Sequence, residues 1–310
     1  MTTWIDRLPE GTVTRRWATF KQALGEAAQL GFSCRVVGAD IELDGLSRLP
    51  ERLQSRLEAA VDDGLLWQYL AADEADFEAT DFLARFQVEP ILVEDPAQVP
   101  TCREELVLDL EGDPSSEAAI AIDIETAPDD WRPPPIRFTK SGQLAVRQGK
   151  IELPGLNPYQ AQIQTLQLYA GGESCFVFRG AALQVQLQEP WLRTVPLVAH
   201  NAAFEALFLL AETGHAFKLD CTLQAAGLLF GVRERSLAKT AVRLFGIEPP
   251  KALQTSCWSA SRLSPGQIAY AAGDAVVCYH SWARMAPELH AQGRWEPYRL
   301  QVEAIPRLPQ

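Results

Sequence analysis

Two carboxylates interrupt an apolar strand pattern. In "AIAIDIETAPDDW", Ala119 to Trp131, the isoleucines alternate with small and acidic residues. Side chains two apart on a strand share a face, so Ile122 and Ile124 point one way and Asp123 and Glu125 the other. A buried pair of acids needs compensation, because uncompensated charge in an apolar setting costs several kcal/mol or is lost by protonation. Basic side chains would serve. So would Mg²⁺ or Mn²⁺, hard cations that favour carboxylate oxygens. Taken alone, D-x-E also describes a strand end whose acids face water.

Two further acids stand at marked places. In "LVAHNAAFEALFLL" an apolar strand ends at His200, Asn201 is placed to cap the next helix, and Glu205 follows four residues later. Asn201 and Glu205 then share a face near the helix N-terminus, where the dipole favours an acid. A capping Asn followed by an ordinary surface Glu fits the same residues. In "LSPGQIAYAAGDAVVCYHSW", Ser264 and Gln267 form a capping box and Pro265 suits the first helical position. Tyr270 and Asp274 then lie four apart on one face. Asp274 sits among Ala271, Ala272, Ala275, Val276 and Val277, with no Lys or Arg close in sequence. A metal shared with Asp123 and Glu125 would give it a partner.

The elements that must carry these groups form a mixed series. From Gln87 onward, strand patterns cover "VEPILVED", "EAAIAIDIET", "IQTLQLYAG", "ESCFVFRG" and "VPLVAH". Helical patterns cover "PAQVPTCREELVLDL", "NAAFEALFLLAETG", "LDCTLQAAGLLFG", "SLAKTAVRLFG" and the long run from Ser264 to Gly293. Strands dominate early and helices late, several of them closed by glycine, which predicts an α/β layer fold with helices around a mixed sheet. Asp220 reads as a helix cap before "CTLQAAGLL".

Ahead of this lies a smaller unit. "RRWATFKQALGEAAQLG" reads as a helix stopped by Gly31, "SCRVV-GAD-IEL" as a strand pair, and "LPERLQSRLEAAVDDG" as a second helix that "LLWQYL" extends. The acid-rich "AADEADFEATD" reads as a linker or a solvated helix. The expected division is a helix–hairpin–helix accessory domain over residues 1–86, a catalytic domain over 87–300 and a tail over 301–310. An insert at about 129–157 interrupts the second domain. The accessory unit loosely resembles docking domains of modular synthases and small units ahead of bacterial polymerases; an accessory role of another kind fits equally.

Composition narrows the function classes. The chain has 310 residues and a formal net charge of −12, so bulk attraction does not make it a nucleic-acid binder. Local basic patches or metal ions would have to overcome the repulsion. One such patch exists: between Trp131 and Ile151 stand Arg132, Arg137, Lys140, Arg147 and Lys150 without an acid. There "IRFTKSGQLAVR" reads as a hairpin able to grip phosphates, or as a solvated excursion. Lys251 and Arg262 are weaker candidates for the same task. No apolar run is long enough to span a membrane, and the N-terminus shows no secretion signal. Six scattered cysteines without a C-x-x-C pair read as reduced thiols of a cytoplasmic protein.

The ordered set carries a resemblance. D-x-E on a strand, H-N-x-x-F-acid at a strand-to-helix junction and Y-x-x-x-D on a late helix resemble the tyrosine branch of the DEDD exonuclease superfamily. The likeness is to the proofreading 3′→5′ exonuclease domain of family A DNA polymerases and, more distantly, to ribonuclease D. It covers about residues 88–290 apart from the insert. It implies a ribonuclease H-like α/β fold and a two-metal phosphodiester hydrolase using two Mg²⁺ or Mn²⁺. Asp123, Glu125 and Asp274 would hold one ion, and Asp123 with Glu205, directly or through water, the other. Tyr270 would orient the attacking water. Asn201 would hydrogen-bond the terminal nucleotide and Phe204 stack on a base, although Phe204 equally fits a core position. Glu205 departs from the family's Asp by one methylene, which bears on rate and metal preference. The expected substrate is a single-stranded DNA 3′ end. RNA, as for ribonuclease D, is the second reading. A catalytically weakened nucleic-acid-binding or interaction module, with residues 1–86 as the docking part, is the third. A polymerase or another protein would be the partner of that part.

Overall fold

The computed structural model describes Ala23, residues 26–27, 29–37, 40–62, 78–128, 137–138, 144–145, 154–251, 253–254, 256, 258–260 and 262–305. Most of the first predicted helix, the end of the second and most of the basic insert fall outside these residues.

The N-terminal strand pair is present. β1 (Ser33–Val37) and β2 (Asp40–Asp44) run antiparallel, and α1 (Glu51–Asp62) follows them. A short helix over residues 78–84, α2, occupies part of the stretch read as a linker or a solvated helix. Its reason is packing: the Phe82 and Phe86 rings meet edge to face at 5.6 Å. Phe86 in turn stacks on His280 at 5.5 Å and meets Phe245 at 5.9 Å. The acids around Phe82 mark its solvent side.

The main sheet has six strands in the order β10-β9-β4-β7-β8-β3. They are β3 (Glu89–Val93), β4 (Ile120–Ala127), β7 (Gln162–Tyr169), β8 (Ser174–Arg179), β9 (Leu197–Ala199) and β10 (Leu219–Cys221). β4–β7 and β7–β8 pair antiparallel, while β3–β8, β4–β9 and β9–β10 pair parallel. This mixed sheet, flanked by helices, is an α/β layer fold of the kind the sequence patterns predict. Outside it, the insert contributes a two-residue antiparallel ladder of β5 (Arg137–Phe138) with β6 (Leu144–Ala145), the backbone of the expected hairpin.

The helices are α3 (Val99–Gly112), α4 (Gly180–Gln188), α5 (Ala202–Thr213), α6 (Thr222–Phe230), α7 (Leu237–Phe245), α8 (Pro265–Ala291) and α9 (Trp295–Val302). α8 starts as the sequence dictates. The Ser264 hydroxyl accepts from the Gln267 N–H at 3.0 Å, and the Gln267 carbonyl oxygen accepts from the Ser264 N–H at 3.1 Å. Its alanine-rich first half has high helix propensity and small side chains, which let it lie close to the sheet.

Several expectations are corrected. "LDCTLQAAGLLFG" is not one helix: its first three residues form β10, an edge strand beside β9. Asp220 therefore does not cap α6, whose N-cap is Cys221 without a side-chain cap bond. The Asp220 carboxylate instead accepts from Tyr298 and Arg299, each at 2.9 Å. α4 was not expected, because "GAALQVQLQ" mixes polar and apolar residues without a clear stripe. The chain after Trp295 is also folded onto the core: Tyr298 has no exposed surface, and Val302 and Ile305 are buried.

Candidate active site

β4 delivers the first two acids. Its isoleucines Ile122 and Ile124 are buried, and Asp123 and Glu125 project from the opposite face. Directly after Glu125 the pairing with β7 shifts by one residue. Such a bulge bends and twists a strand locally, and here it falls at the second carboxylate.

α8 delivers the third acid. Asp274 meets Asp123 and Glu125 so closely that one ligand oxygen from each lies within 4.8 Å of the others. The three keep partly accessible edges, yet protein encloses them on the remaining sides. Two like charges about 4 Å apart repel by roughly 4 kcal/mol at an effective dielectric of about 20. Three ionised acids at this spacing would strain a fold of ordinary stability. All three are pushed above the usual carboxylate range, chiefly by burial. The Asp274 charge adds to the rise at Asp123, and the Asp123 and Asp274 charges add to it at Glu125. Asp274 itself rises to about 7, burial outweighing the hydrogen bond it accepts from Tyr270.

Tyr270, one turn before Asp274, is 7% exposed. Its hydroxyl bonds to the Asp274 carboxylate, and burial, reinforced by the neighbouring acids, drives its ionisation far up. The phenol is held neutral, as a donor. Its ring lies 6.1 Å from that of Trp258.

Glu205 enters from α5. It is 3% exposed, which removes the surface-Glu reading. Burial and the nearby Asp123 charge raise its carboxyl well above the usual range. Its Oε2 has no hydrogen-bond partner among the described residues. Glu205 is not one of the three acids whose ligand atoms converge. An unpartnered buried oxygen beside a shared carboxylate suits a cation adjacent to that cluster, and all four side chains are hard oxygen donors of the kind Mg²⁺ and Mn²⁺ take. The residues present therefore fit divalent metal.

The junction before Glu205 differs from expectation. Asn201 stands at the N-cap position of α5 but in the left-handed region, φ 66°, and makes no side-chain cap bond. The turn tolerates Asn there because its short polar side chain accepts left-handed geometry. Its side chain is exposed. His200, just before it, bonds through Nδ1 to Thr222 Oγ1 at 2.9 Å. The same hydroxyl lies 3.3 Å from the Ala199 carbonyl, which ties the ring to the end of β9. Burial, with Arg235 nearby, lowers His200 to about 4 and keeps the ring neutral. The junction is thus pinned by an uncharged ring.

The expected nucleic-acid contacts separate into groups. Phe204 is half-buried, 4.9 Å ring to ring from Phe208. Lys251 is exposed and pairs with Glu248 at 3.8 Å, and Arg262 is exposed. Arg137 lies in β5, but its side chain, Lys140 and Arg147 lie outside what the structure describes. Two residues passed over in the sequence, Thr165 and Gln167, are fully buried on β7 opposite Glu125 and Asp123. The available signal was that Thr165 and Gln167, two apart and so on one strand face, alternate with Leu166 and Leu168.

Residues 150–290 match the family described as 3′–5′ exonuclease, of the DNA polymerase A type. The matched span contains Glu205, Tyr270 and Asp274 and starts after Asp123 and Glu125. The chain is thus similar in sequence to hydrolases that work from a 3′ end. No curated protein matches it. Among solved structures it is similar to a nuclease in its apo form, at 22% identity over 66% of this chain and 85% of that one, TM-score 0.49. It is also similar to Brucella melitensis NrnC bound to pGG, at 22% identity over 62% and 83%, TM-score 0.47. A third is the catalytic core of Trypanosoma brucei RRP6, at 15% identity over 69% and 51%, TM-score 0.48.

Proposed function

We propose that this 3′–5′ exonuclease-type chain is a metal-dependent enzyme that removes nucleotides from single-stranded DNA ends. The observation that carries the reading is the convergence of Asp123, Glu125 and Asp274 within 4.8 Å beside a neutral, buried Tyr270. The match of residues 150–290 to an exonuclease family of the DNA polymerase A type favours DNA over RNA.

Asp123, Glu125 and Asp274 would hold one divalent ion, and Asp123 with Glu205 a second. When bound, two such ions activate a water and stabilise the entering and leaving oxygens of an in-line displacement. The chain's own groups do the rest. Asp123 would contribute a ligand to both ions. The Tyr270 hydroxyl stays protonated, so it orients the nucleophile by donating or accepting a hydrogen bond and does not remove the proton. With Asp274 serving as a metal ligand, the hydroxyl would be available for this task. The exposed Asn201 side chain, at the head of the helix that carries Glu205, would hydrogen-bond a terminal nucleotide. Half-buried Phe204 would stack on a base with the part of its ring that Phe208 leaves accessible. The basic insert is assigned to the phosphates further along the strand.

The test is hydrolysis of end-labelled single-stranded DNA and RNA by the purified chain with Mg²⁺, Mn²⁺ or EDTA. A ladder shortening from the 3′ end of DNA, and abolished by EDTA, is expected. Shortening of RNA alone would move the assignment to a ribonuclease D-like activity. Strand binding without hydrolysis under either metal would refute the enzymatic reading.

A further inference from the structure

Beneath the carboxylates lies a second polar layer that the two-metal scheme does not use. Thr165 and Gln167 are polar yet have no exposed surface. In the antiparallel pairing of β4 with β7, Gln167 stands opposite Asp123 and Thr165 opposite Glu125. Directly opposed residues point to the same face, with Cβ atoms about 4.5–5.5 Å apart. The amide and the hydroxyl therefore occupy the carboxylate face, one strand inward. α8 covers that face. Gln167 pairs with Val177 on β8, and Cys175, two residues from Val177, rests its Sγ 3.8 Å from the Ala272 carbonyl of α8.

The hydrogen bonds of this layer are incomplete. Gln167 Nε2 donates to Thr165 Oγ1 at 2.6 Å, while Gln167 Oε1 has no donor among the described residues. A buried acceptor left without a donor costs about 1–3 kcal/mol. An apolar side chain of the same shape would avoid that cost. Oxygen and nitrogen of a glutamine amide exchange places on a half-turn, and the hydrogen-bond partners decide between the two orientations. After the half-turn, Oε1 accepts the Thr165 hydroxyl proton. Nε2 then takes the unpartnered position with N–H groups to give, and the side chain opposite it is a carboxylate.

We propose that Gln167 is a positioning residue for Asp123: anchored by the Thr165 hydroxyl, its amide N–H donates to the Asp123 carboxylate and fixes that carboxylate as a metal ligand. The inference rests on the exonuclease reading of the same site. Gln167 touches neither substrate nor reacting atoms. A donor to the ionised carboxylate favours the state that a cation requires. It also holds the ligand shared by both ions, where a small rotation would spoil both positions. Loss of such an outer partner typically costs about 10–100-fold in metal affinity or activity.

The experiment is Mn²⁺ binding by calorimetry on the full chain, as wild type, Gln167→Met and Thr165→Val, with melting curves in EDTA and single-turnover rates beside it. Gln167→Met keeps the shape of the side chain and deletes its hydrogen bonds. It should melt within a few degrees of wild type in EDTA and yet bind Mn²⁺ about 10–100-fold more weakly. Saturating Mn²⁺ should restore part of the rate. Thr165→Val, which removes only the anchor, should weaken binding in the same direction by a smaller factor, and it decides the matter if Gln167→Met does not fold. A wild type that binds Mn²⁺, with both folded variants binding equally well, overturns this inference and leaves the exonuclease reading standing. A wild type that neither binds Mn²⁺ nor hydrolyses DNA or RNA overturns both.

Discussion

The Tyr270 hydroxyl and the Asp274 carboxylate are joined by a hydrogen bond across one turn of α8. Helical spacing brings the two together, and the capping box at Ser264 fixes where that spacing starts. The bond gives the metal-free site a partner for one of its crowded acids. It also explains why the phenol cannot serve as a base: burial and three neighbouring carboxylates oppose its ionisation.

Tyr270→Phe should slow hydrolysis without ending it. Loss of an orienting or proton-transferring group costs about 10²–10⁴-fold, and the low end is expected here because the ligands remain. The variant should also shift the acidic limb of the pH–rate profile upward, since Asp274 loses a donor to its ionised form. An unchanged single-turnover rate and an unmoved acidic limb would take Tyr270 out of the mechanism.

The acid cluster predicts how the metal-free protein responds to pH. Asp123, Glu125 and Asp274 all have folded-state values raised above their unfolded ones, Asp274 to about 7. Such groups contribute stability that is present below the unfolded value near 4 and is lost as pH rises through the folded value. Asp123→Ala and Asp274→Ala should each abolish hydrolysis. In EDTA they should melt no lower than wild type above pH 7, with Asp274→Asn higher by ~5 °C, a gap that closes toward pH 5. His200, neutral and lowered to about 4, weakens all these proteins alike as pH falls below about 6.5, so the difference between variant and wild type is the quantity to follow. Adding Mg²⁺ should raise the wild-type melting temperature at pH 8 and leave the Ala variants unmoved. A gap that does not vary with pH would contradict the electrostatic account.

Glu205 separates a working enzyme from a weakened binding module. Its buried, unpartnered Oε2 suits a second cation, reached with one methylene more than Asp would have. Glu205→Ala should then lose far more activity than Glu205→Asp, with Mn²⁺ recovering part of the loss because its geometry is less strict than that of Mg²⁺. Equal, robust rates for wild type and both variants would remove Glu205 from catalysis.

The basic insert is tested by salt. Neutralising Arg137, Lys140 and Arg147 together should weaken single-strand binding. For every phosphate that is no longer neutralised, the logarithmic salt dependence should flatten by about 0.7. The rate at saturating substrate should change little, since none of these residues is assigned to the metals. Unchanged affinity and slope would make the insert a solvated excursion.

Much of the fold and site was legible because local rules and tertiary packing agree. The alternation of Ile122 and Ile124 with Asp123 and Glu125 already set the two faces of β4, since a strand's side chains have period two. Ser264, Pro265 and Gln267 set the start of α8, and that start set the turn on which Tyr270 and Asp274 meet. Other features needed the three-dimensional structure because their partners are distant in sequence. Asp220 looked like a cap until β10 paired with β9 and drew it toward Tyr298 and Arg299. Asn201 kept its place at the head of α5 but took a left-handed turn that local capping preference does not encode. The burial of Glu205 depends on how α5 packs, and it brings Glu205 under the charge of Asp123, 82 positions away in sequence. The pairing of Gln167 with Asp123 is set by strand register, which a one-residue slip would have inverted. The chain alone could name its acids and the faces that carry them; how close those acids stand, and what lies beneath them, is a property of packing between elements that no local pattern contains.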